Sequence, residues 1–185
     1  MKASAPIRIL GISDSLRAAS SASAILRQVA ELAGPEIHFQ IYDGLATIPA
    51  FDDGQDIPSP VLDFIDRVNA SDGVFFCIPE YAFGVPGALK NALDWTVSTT
   101  AFNEKPVALI TAASSGEKAH AALQLTLTAL QTRMENSATL LISFVRSKLD
   151  EQKKIKDTTT LQAVKEVIAH FKTTVQKKLS EEPAS

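Results

Sequence analysis

Short, unbroken apolar runs alternate along the chain with longer segments in which apolar residues recur every three or four positions. The runs are typical of strands buried in a parallel sheet, and the longer segments are typical of amphipathic helices. Strands are predicted in this way at residues 7–12, 37–42, 73–78, 106–112 and 139–145. A helix is predicted after each strand, because helical spacing of apolar residues follows each run.

This alternation predicts an α/β fold in three layers, with a five-stranded parallel sheet covered by helices on both faces. The third and fourth strands are nearly all apolar and are expected at the centre, whereas the second alternates with polar residues, as an edge strand does. The strand order 2-1-3-4-5 satisfies both conditions. We expect a single domain over residues 1–185, with a core at about 6–176 and a charged tail from Lys177 that frays.

The composition is that of an ordinary globular protein, with 45% apolar and 21% charged residues. A formal net charge of −3 gives no long-range attraction for nucleic acid or anionic lipid, so neither is expected as a partner. We find no apolar span of membrane length and no signal-peptide pattern, and we expect a cytoplasmic location. The single cysteine, Cys77, lies in an apolar strand and excludes an internal disulfide and a cysteine-rich metal site.

Three loops follow the first, third and fourth strands, and the strand order brings them to the edge of the sheet where open α/β folds bind ligands. Residues 13–21 are rich in serine, include Arg17 and lead into a helix. Their hydroxyls, guanidinium and backbone N–H groups would suit a phosphate. They lack the spacing of nucleoside triphosphate and dinucleotide sites. An N-cap serine with a solvated arginine is the simpler explanation of this loop taken alone.

The other two loops offer flat side chains and accessible backbone. Residues 79–84 place Tyr81 and Phe83 beside main-chain groups, which would form a wall for a planar heteroaromatic ring. Residues 113–116 are small and end in Gly116, so the main chain could approach such a ring from its other side. Simple packing of the aromatics and an ordinary strand-to-helix turn remain open as explanations.

Two stretches resemble the NADPH-dependent FMN reductase family. They are SDSLRAAS, from Ser13 to Ser20, and PEYAFGVPGALKNALDW, from Pro79 to Trp95. The family has a flavodoxin-like fold and includes quinone, azo-dye and chromate reductases. The resemblance therefore implies an FMN cofactor, NADPH or NADH as transient hydride donor, and small-molecule electron acceptors. It also implies a homodimer or homotetramer that associates through the helix from Leu89 to Trp95.

The resemblance also implies which residues contact the flavin. The phosphate is contacted by the first loop, through Ser13, Ser15, Arg17 and Ser20. The ring is contacted by the second loop, through Pro79, Glu80, Tyr81, Ala82 and Phe83, and from its other side by the third loop, through Ser114, Ser115 and Gly116. Glu80 is expected to fix its loop rather than to act as an acid. No side chain is assigned as a catalytic residue, because the flavin carries the chemistry.

The chain departs from the family pattern in each of the three segments, and the third loop keeps only one glycine of the usual set, Gly116. Asp14 stands where the family has glycine, Ala22 where it has asparagine, and Ala82 where it often has asparagine. An aspartate near a phosphate is unfavourable, and loss of the asparagine amide at position 22 removes a hydrogen bond worth roughly 1 kcal/mol. We therefore expect FMN to bind more weakly here than in typical members of the family.

Other residues with functional side chains are interpreted structurally. Asp52 and Asp53 are expected to form a solvated turn rather than a metal site, because no further ligands cluster with them in the sequence. Phe51 is expected to be a buried packing residue, although covering the flavin of a neighbouring subunit is an alternative. His120 is expected to be a surface residue of a helix.

The function that the resemblance implies is that of an FMN-dependent NAD(P)H oxidoreductase. The nicotinamide delivers a hydride and leaves, and an acceptor such as free flavin or a quinone takes its place, in a ping-pong sequence. Two alternatives stay open. One is a flavodoxin-like electron carrier, although such carriers tend to be more acidic than this chain. The other is a degenerate member that has lost flavin and acts as an interaction protein.

Replacing Arg17 with alanine is expected to weaken FMN binding several-fold or more, because the guanidinium would pair with the phosphate. Titration of the protein with FMN, followed by flavin fluorescence, measures this change. An unchanged dissociation constant would show that the first loop is not the phosphate site.

Overall fold

The computed structural model describes residues 6–13, 20–54 and 56–181. Within these residues, five parallel strands form one sheet in the order β2-β1-β3-β4-β5. The strands are β1 Ile7–Ile12, β2 Ile37–Tyr42, β3 Gly73–Ile78, β4 Val107–Ala112 and β5 Thr139–Ile142. The helices are α1 Ser21–Leu32, α2 Ser59–Ala70, α3 Gly87–Asp94, α4 Glu117–Ala129, α5 Val145–Lys148 and α6 Thr158–Glu181. The predicted α/β fold and strand order are confirmed.

Apolar side chains fill both sides of the sheet, because successive residues of a strand point to opposite faces. All residues of β3 and β4 are buried, as expected for the central strands. Phe76 belongs to the core under α2, α3 and α4, whereas the adjacent Phe75 belongs to the core under α1 and α6. At the edge, β2 leaves Ile41 39% exposed. None of the described helices is long and apolar enough to cross a membrane.

The fifth strand is shorter than predicted, since it ends at Ile142 and not at Val145. Phe144 adopts a left-handed conformation, with φ 52° and ψ 37°, and α5 begins at the next residue. The backbone N–H groups of Phe144 and Val145 donate to the carbonyls of Ser114 and Ala113, at 3.1 and 3.0 Å. These bonds turn the chain away from the sheet and fix the turn after β5 against the turn after β4.

A loop that was not predicted connects α5 to α6 and packs beside α1. Leu149 and Ile155 form an isolated antiparallel bridge at its base. The buried amide of Gln28, in α1, donates to the carbonyl of Lys153 and accepts from the N–H of Ile155, both at 3.0 Å. One side chain thus satisfies a backbone donor and a backbone acceptor of this loop and fixes it to α1.

The last helix continues through Glu181, beyond Lys177, where fraying was expected to begin. Glu181 accepts a hydrogen bond from Arg133 at 2.7 Å, and Arg133 also pairs with Glu104 at 3.0 Å. The hydrogen bond from Arg133 lowers the pKa of Glu181. An exposed ion-pair network therefore connects the end of α6 to the segment between α4 and β5.

Candidate functional site

A cleft of about 860 Å³ opens at the carboxyl ends of β3, β4 and β5 and reaches the start of α1. Four segments form its walls, and they are far apart in the sequence. These segments lie within residues 20–22, 79–83, 112–115 and 145–153. The described end of the first predicted loop therefore meets the other two predicted loops at one edge of the sheet, and the chain after β5 adds a fourth wall.

The cleft brings together most of the predicted site residues that the structure describes. Its lining includes Ser20, Pro79, Glu80, Tyr81, Ala82, Phe83, Ser114 and Ser115. Gly116 lies next to this lining and contacts Glu80, whereas Ser13 lies outside the lining and its hydroxyl is 3.2 Å from that of Ser23. Ser15 and Arg17, together with Asp14, lie outside the described residues.

The loop after β3 makes a tight turn that exposes its aromatic side chains. Tyr81 and Gly84 exchange backbone hydrogen bonds of 3.2 and 2.9 Å, and the two residues between them have positive φ angles of 47° and 60°. These two residues are Ala82 and Phe83, and asparagine adopts this conformation more readily than alanine does. Tyr81 is 52% exposed and Phe83 is 77% exposed. The loop therefore presents two aromatic side chains at the rim of the cleft.

Glu80 connects this turn to the helix that follows β4. Its Oε1 accepts a hydrogen bond from the N–H of Gly116 at 3.2 Å, and its Oε2 accepts one from the N–H of Ala119 at 3.0 Å. Gly116 precedes α4 and Ala119 lies in its first turn, where backbone N–H groups lack partners within the helix. The carboxylate thus caps α4 from outside and interacts favourably with the helix dipole. This agrees with the expectation that Glu80 fixes its loop.

Gly116 allows the turn after β4 to approach the sheet closely. Its φ is 101°, a conformation that favours glycine. A Cβ atom at this position would lie 2.7 Å from Leu141 Cδ1 and 3.2 Å from Thr111 Cγ2. A larger residue would therefore displace the start of α4, including the N–H groups that Glu80 accepts from.

His120 is half-buried, and the expectation that it is a surface residue is wrong. Its Nδ1 lies 2.9 Å from the hydroxyl of Thr111, which is fully buried at the end of β4. Burial lowers the pKa of the imidazole, so the neutral form is favoured. The helical pattern missed this contact because the partner lies in another element. His120 therefore fixes the first turn of α4 to β4.

At the start of α1, the Ser20 hydroxyl caps the helix. It accepts a hydrogen bond from the N–H of Ser23 at 3.0 Å and donates to the Ser23 hydroxyl at 3.0 Å. Ser21 and Ala22 occupy the first turn and line the cleft. Their backbone N–H groups belong to the helix end that has no intrahelical acceptors, which is a favourable position for an anion.

The fourth wall consists of residues 145–153, which sequence analysis did not assign to the site. It brings two cations, Arg146 and Lys153, and two carboxylates, Asp150 and Glu151, to the cleft. The signal that could have identified it is the change from apolar to charged residues after Val145. That change occurs at the carboxyl end of the last strand, which is the edge where the other loops meet.

The end of the longer family-like stretch fixes another loop. Asn91 Nδ2 and Trp95 Nε1 both donate to the carbonyl of Pro49, at 2.8 and 3.0 Å, and Asn91 Oδ1 accepts from the N–H of Phe51 at 2.7 Å. The ring of Phe51 packs edge-on against Trp95, with centroids 5.2 Å apart. Phe51 is nevertheless 47% exposed, so the expectation of a buried side chain is wrong.

Replacing Glu80 with alanine is expected to lower the free energy of unfolding by about 2 kcal/mol, because two N–H groups at the start of α4 lose a charged acceptor. Urea denaturation measures the change. Glu166→Gln in α6, which removes an exposed carboxylate that accepts from the Gln162 side chain, is the control and should change stability little. Equal stability of Glu80→Ala and wild type would show that the carboxylate does not hold the two loops together.

Comparison with known proteins identifies the family of the chain. A model of the NADPH-dependent FMN reductase family matches residues 7–146. An NAD(P)H-dependent FMN reductase of Pseudomonas aeruginosa is 32% identical over 160 residues, which cover 82% of this chain and 85% of the relative. A quinone reductase of Escherichia coli is 29% identical over 93 residues, which cover 48% of this chain and 50% of the relative.

Solved structures show the same architecture. The flavoenzyme NAD(P)H:(acceptor) oxidoreductase of Paracoccus denitrificans superposes with a TM-score of 0.80 and 23% identity, over 92% of this chain and 98% of that one. The flavodoxin-like fold implied by the resemblance is therefore confirmed. Since the family model covers most of the chain, the protein belongs to the NADPH-dependent FMN reductase family, whose oxidoreductases use FMN with NAD(P)H as hydride donor.

Proposed function

We propose that the protein binds FMN in the cleft and transfers two electrons from NADPH or NADH to small-molecule acceptors. One observation carries the proposal: eight of the predicted flavin-contacting residues, from three separate parts of the chain, line a single cleft. Quinones and free flavin are the acceptors we propose, because the names of the relatives include a quinone reductase and an FMN reductase.

The residues present suit the parts of FMN. The first turn of α1 offers backbone N–H groups for a phosphate, as helix N-termini do. The main chain at residues 79–83 and 112–115 offers donors and acceptors for the edges of a planar ring. Tyr81 and Phe83 add exposed aromatic surface at the rim. The cleft therefore offers groups for a phosphate at one end and for a planar ring at the other, as a flavin mononucleotide requires.

The side chains of the cleft bind and orient the cofactor, and none is required as an acid or base. Bound FMN would supply the hydride-accepting chemistry. Glu80 would hold the two ring-binding loops together, because it accepts hydrogen bonds from the N–H groups of Gly116 and Ala119. We propose that donor and acceptor use the same open side of the cleft in turn, as a ping-pong enzyme requires, because the sequence has no second nucleotide-binding fingerprint.

Self-association through α3 also belongs to the proposal. Phe51 packs against Trp95, the residue after α3, and Val97 follows shortly after; their side chains are 47% and 67% exposed. Apolar side chains of this kind would be buried by a second copy of the chain. A cytoplasmic location and a single domain over the whole chain remain predictions.

The proposal is tested by adding NADPH or NADH without oxygen to protein loaded with FMN. The visible absorbance of the flavin is expected to bleach, and an added quinone is expected to restore it. Free FMN at the same concentration is the control and should bleach far more slowly. Protein that retains FMN but is reduced by neither nucleotide would be an electron carrier, and protein that binds no FMN would favour the interaction protein.

A further inference from the structure

The fourth wall of the cleft carries a cation to which the family resemblance assigns no role. Arg146 is the second residue of α5 and is exposed. It lines the same cleft as the first turn of α1. No other described residue forms an ion pair or hydrogen bond with its guanidinium. We propose that Arg146 binds the phosphate of FMN. This inference rests on the proposed function and adds a phosphate ligand from outside the first loop.

The described start of α1 offers few side-chain donors to a phosphate. The hydroxyl of Ser20 already accepts from the N–H of Ser23 and donates to the Ser23 hydroxyl, as part of the helix cap. Ala22 has no polar side chain, at the position where the family has asparagine. What remains there is mainly backbone N–H, which supplies hydrogen bonds but only the partial charge of the helix dipole. Within the described start of α1, a full positive charge must therefore be added from another segment.

The carboxylates of the cleft increase the need for a positive charge beside the phosphate. Three carboxylates, those of Glu80, Asp150 and Glu151, contribute to its lining, against the two cations Arg146 and Lys153. The formal net charge of the chain, −3, adds no compensating field. Arginine neutralises a phosphate well, because its planar guanidinium can donate two parallel hydrogen bonds and stays charged at any physiological pH. Lys148, two residues further on, is 3.6 Å from Asp157 and is already paired.

The backbone that carries Arg146 is fixed relative to the phosphate end of the cleft. On one side, the N–H of Val145 donates to the carbonyl of Ala113, and both Val145 and Leu149 are buried. On the other side, the loop after α5 is bound to α1 through Gln28. Arg146 is thus held on a segment tied both to the ring-binding turn and to the helix whose first turn faces the phosphate. The backbone that carries this cation therefore need not reorder when the ligand binds, and only the side chain becomes ordered.

The test compares FMN with riboflavin, which is the same ring and ribityl chain without the phosphate. Dissociation constants of both are measured by flavin fluorescence for wild type, Arg146→Gln and Arg146→Lys. Arg67→Gln is the matched control, since Arg67 is an exposed arginine of α2 that pairs with Asp63 in the same helix. Arg146→Gln is expected to weaken FMN binding about ten-fold or more and riboflavin binding less than about two-fold.

Arg146→Lys is expected to bind FMN with intermediate affinity, and Arg67→Gln is expected to match wild type. Equal affinity of wild type and Arg146→Gln for FMN would overturn the assignment of Arg146 and leave the proposed flavin site intact. Equal losses of FMN and riboflavin affinity would also overturn it, because the effect would not depend on the phosphate. Wild-type protein that binds neither flavin would instead overturn the proposed function.

Discussion

The hydrogen bonds of the Glu80 carboxylate are the constraint on which the arrangement of the site depends. They join a turn after β3 to the start of α4, across 36 residues of sequence to Gly116. The turn contains two consecutive non-glycine residues at positive φ, each of which costs roughly 1–2 kcal/mol. Hydrogen bonds to a charged group contribute about as much each, so Glu80 can offset that cost while it supplies the acceptors that α4 needs. Removing it would break the direct link between the two ring-binding loops.

The cleft itself follows from the topology of the sheet. In a parallel sheet every strand ends at the same edge, so the loops after β1, β3, β4 and β5 must leave from neighbouring positions. Local bonds then decide how far each loop extends. Gly116 lets the turn after β4 lie close to the sheet, and the bonds of Phe144 and Val145 hold the next turn against it. These two turns form one side of the cleft, and the exposed aromatics after β3 form its rim.

Much of this arrangement could be predicted from local patterns. The central strands are continuous apolar runs, and the order of strands follows from which runs are most apolar, so the meeting of three loops was expected. The end of β5 could not be predicted, because the apolar pattern continues to Val145 and the chain turns only through bonds to Ala113 and Ser114. The burial of His120 depends on Thr111 in the same way, and the position of the loop after α5 depends on Gln28. Each of these features depends on a contact between elements that are distant in the sequence, and the local pattern of apolar residues does not indicate such contacts.

A crystal structure of the protein with FMN would test the central claim, that these separate turns form a single flavin site. The account predicts a flavin ring between residues 79–83 and 113–116, near Tyr81 and the Glu80-capped start of α4. It predicts the phosphate at the first turn of α1. A ring bound elsewhere on the surface, or a phosphate at the opposite end of the cleft from α1, would contradict it.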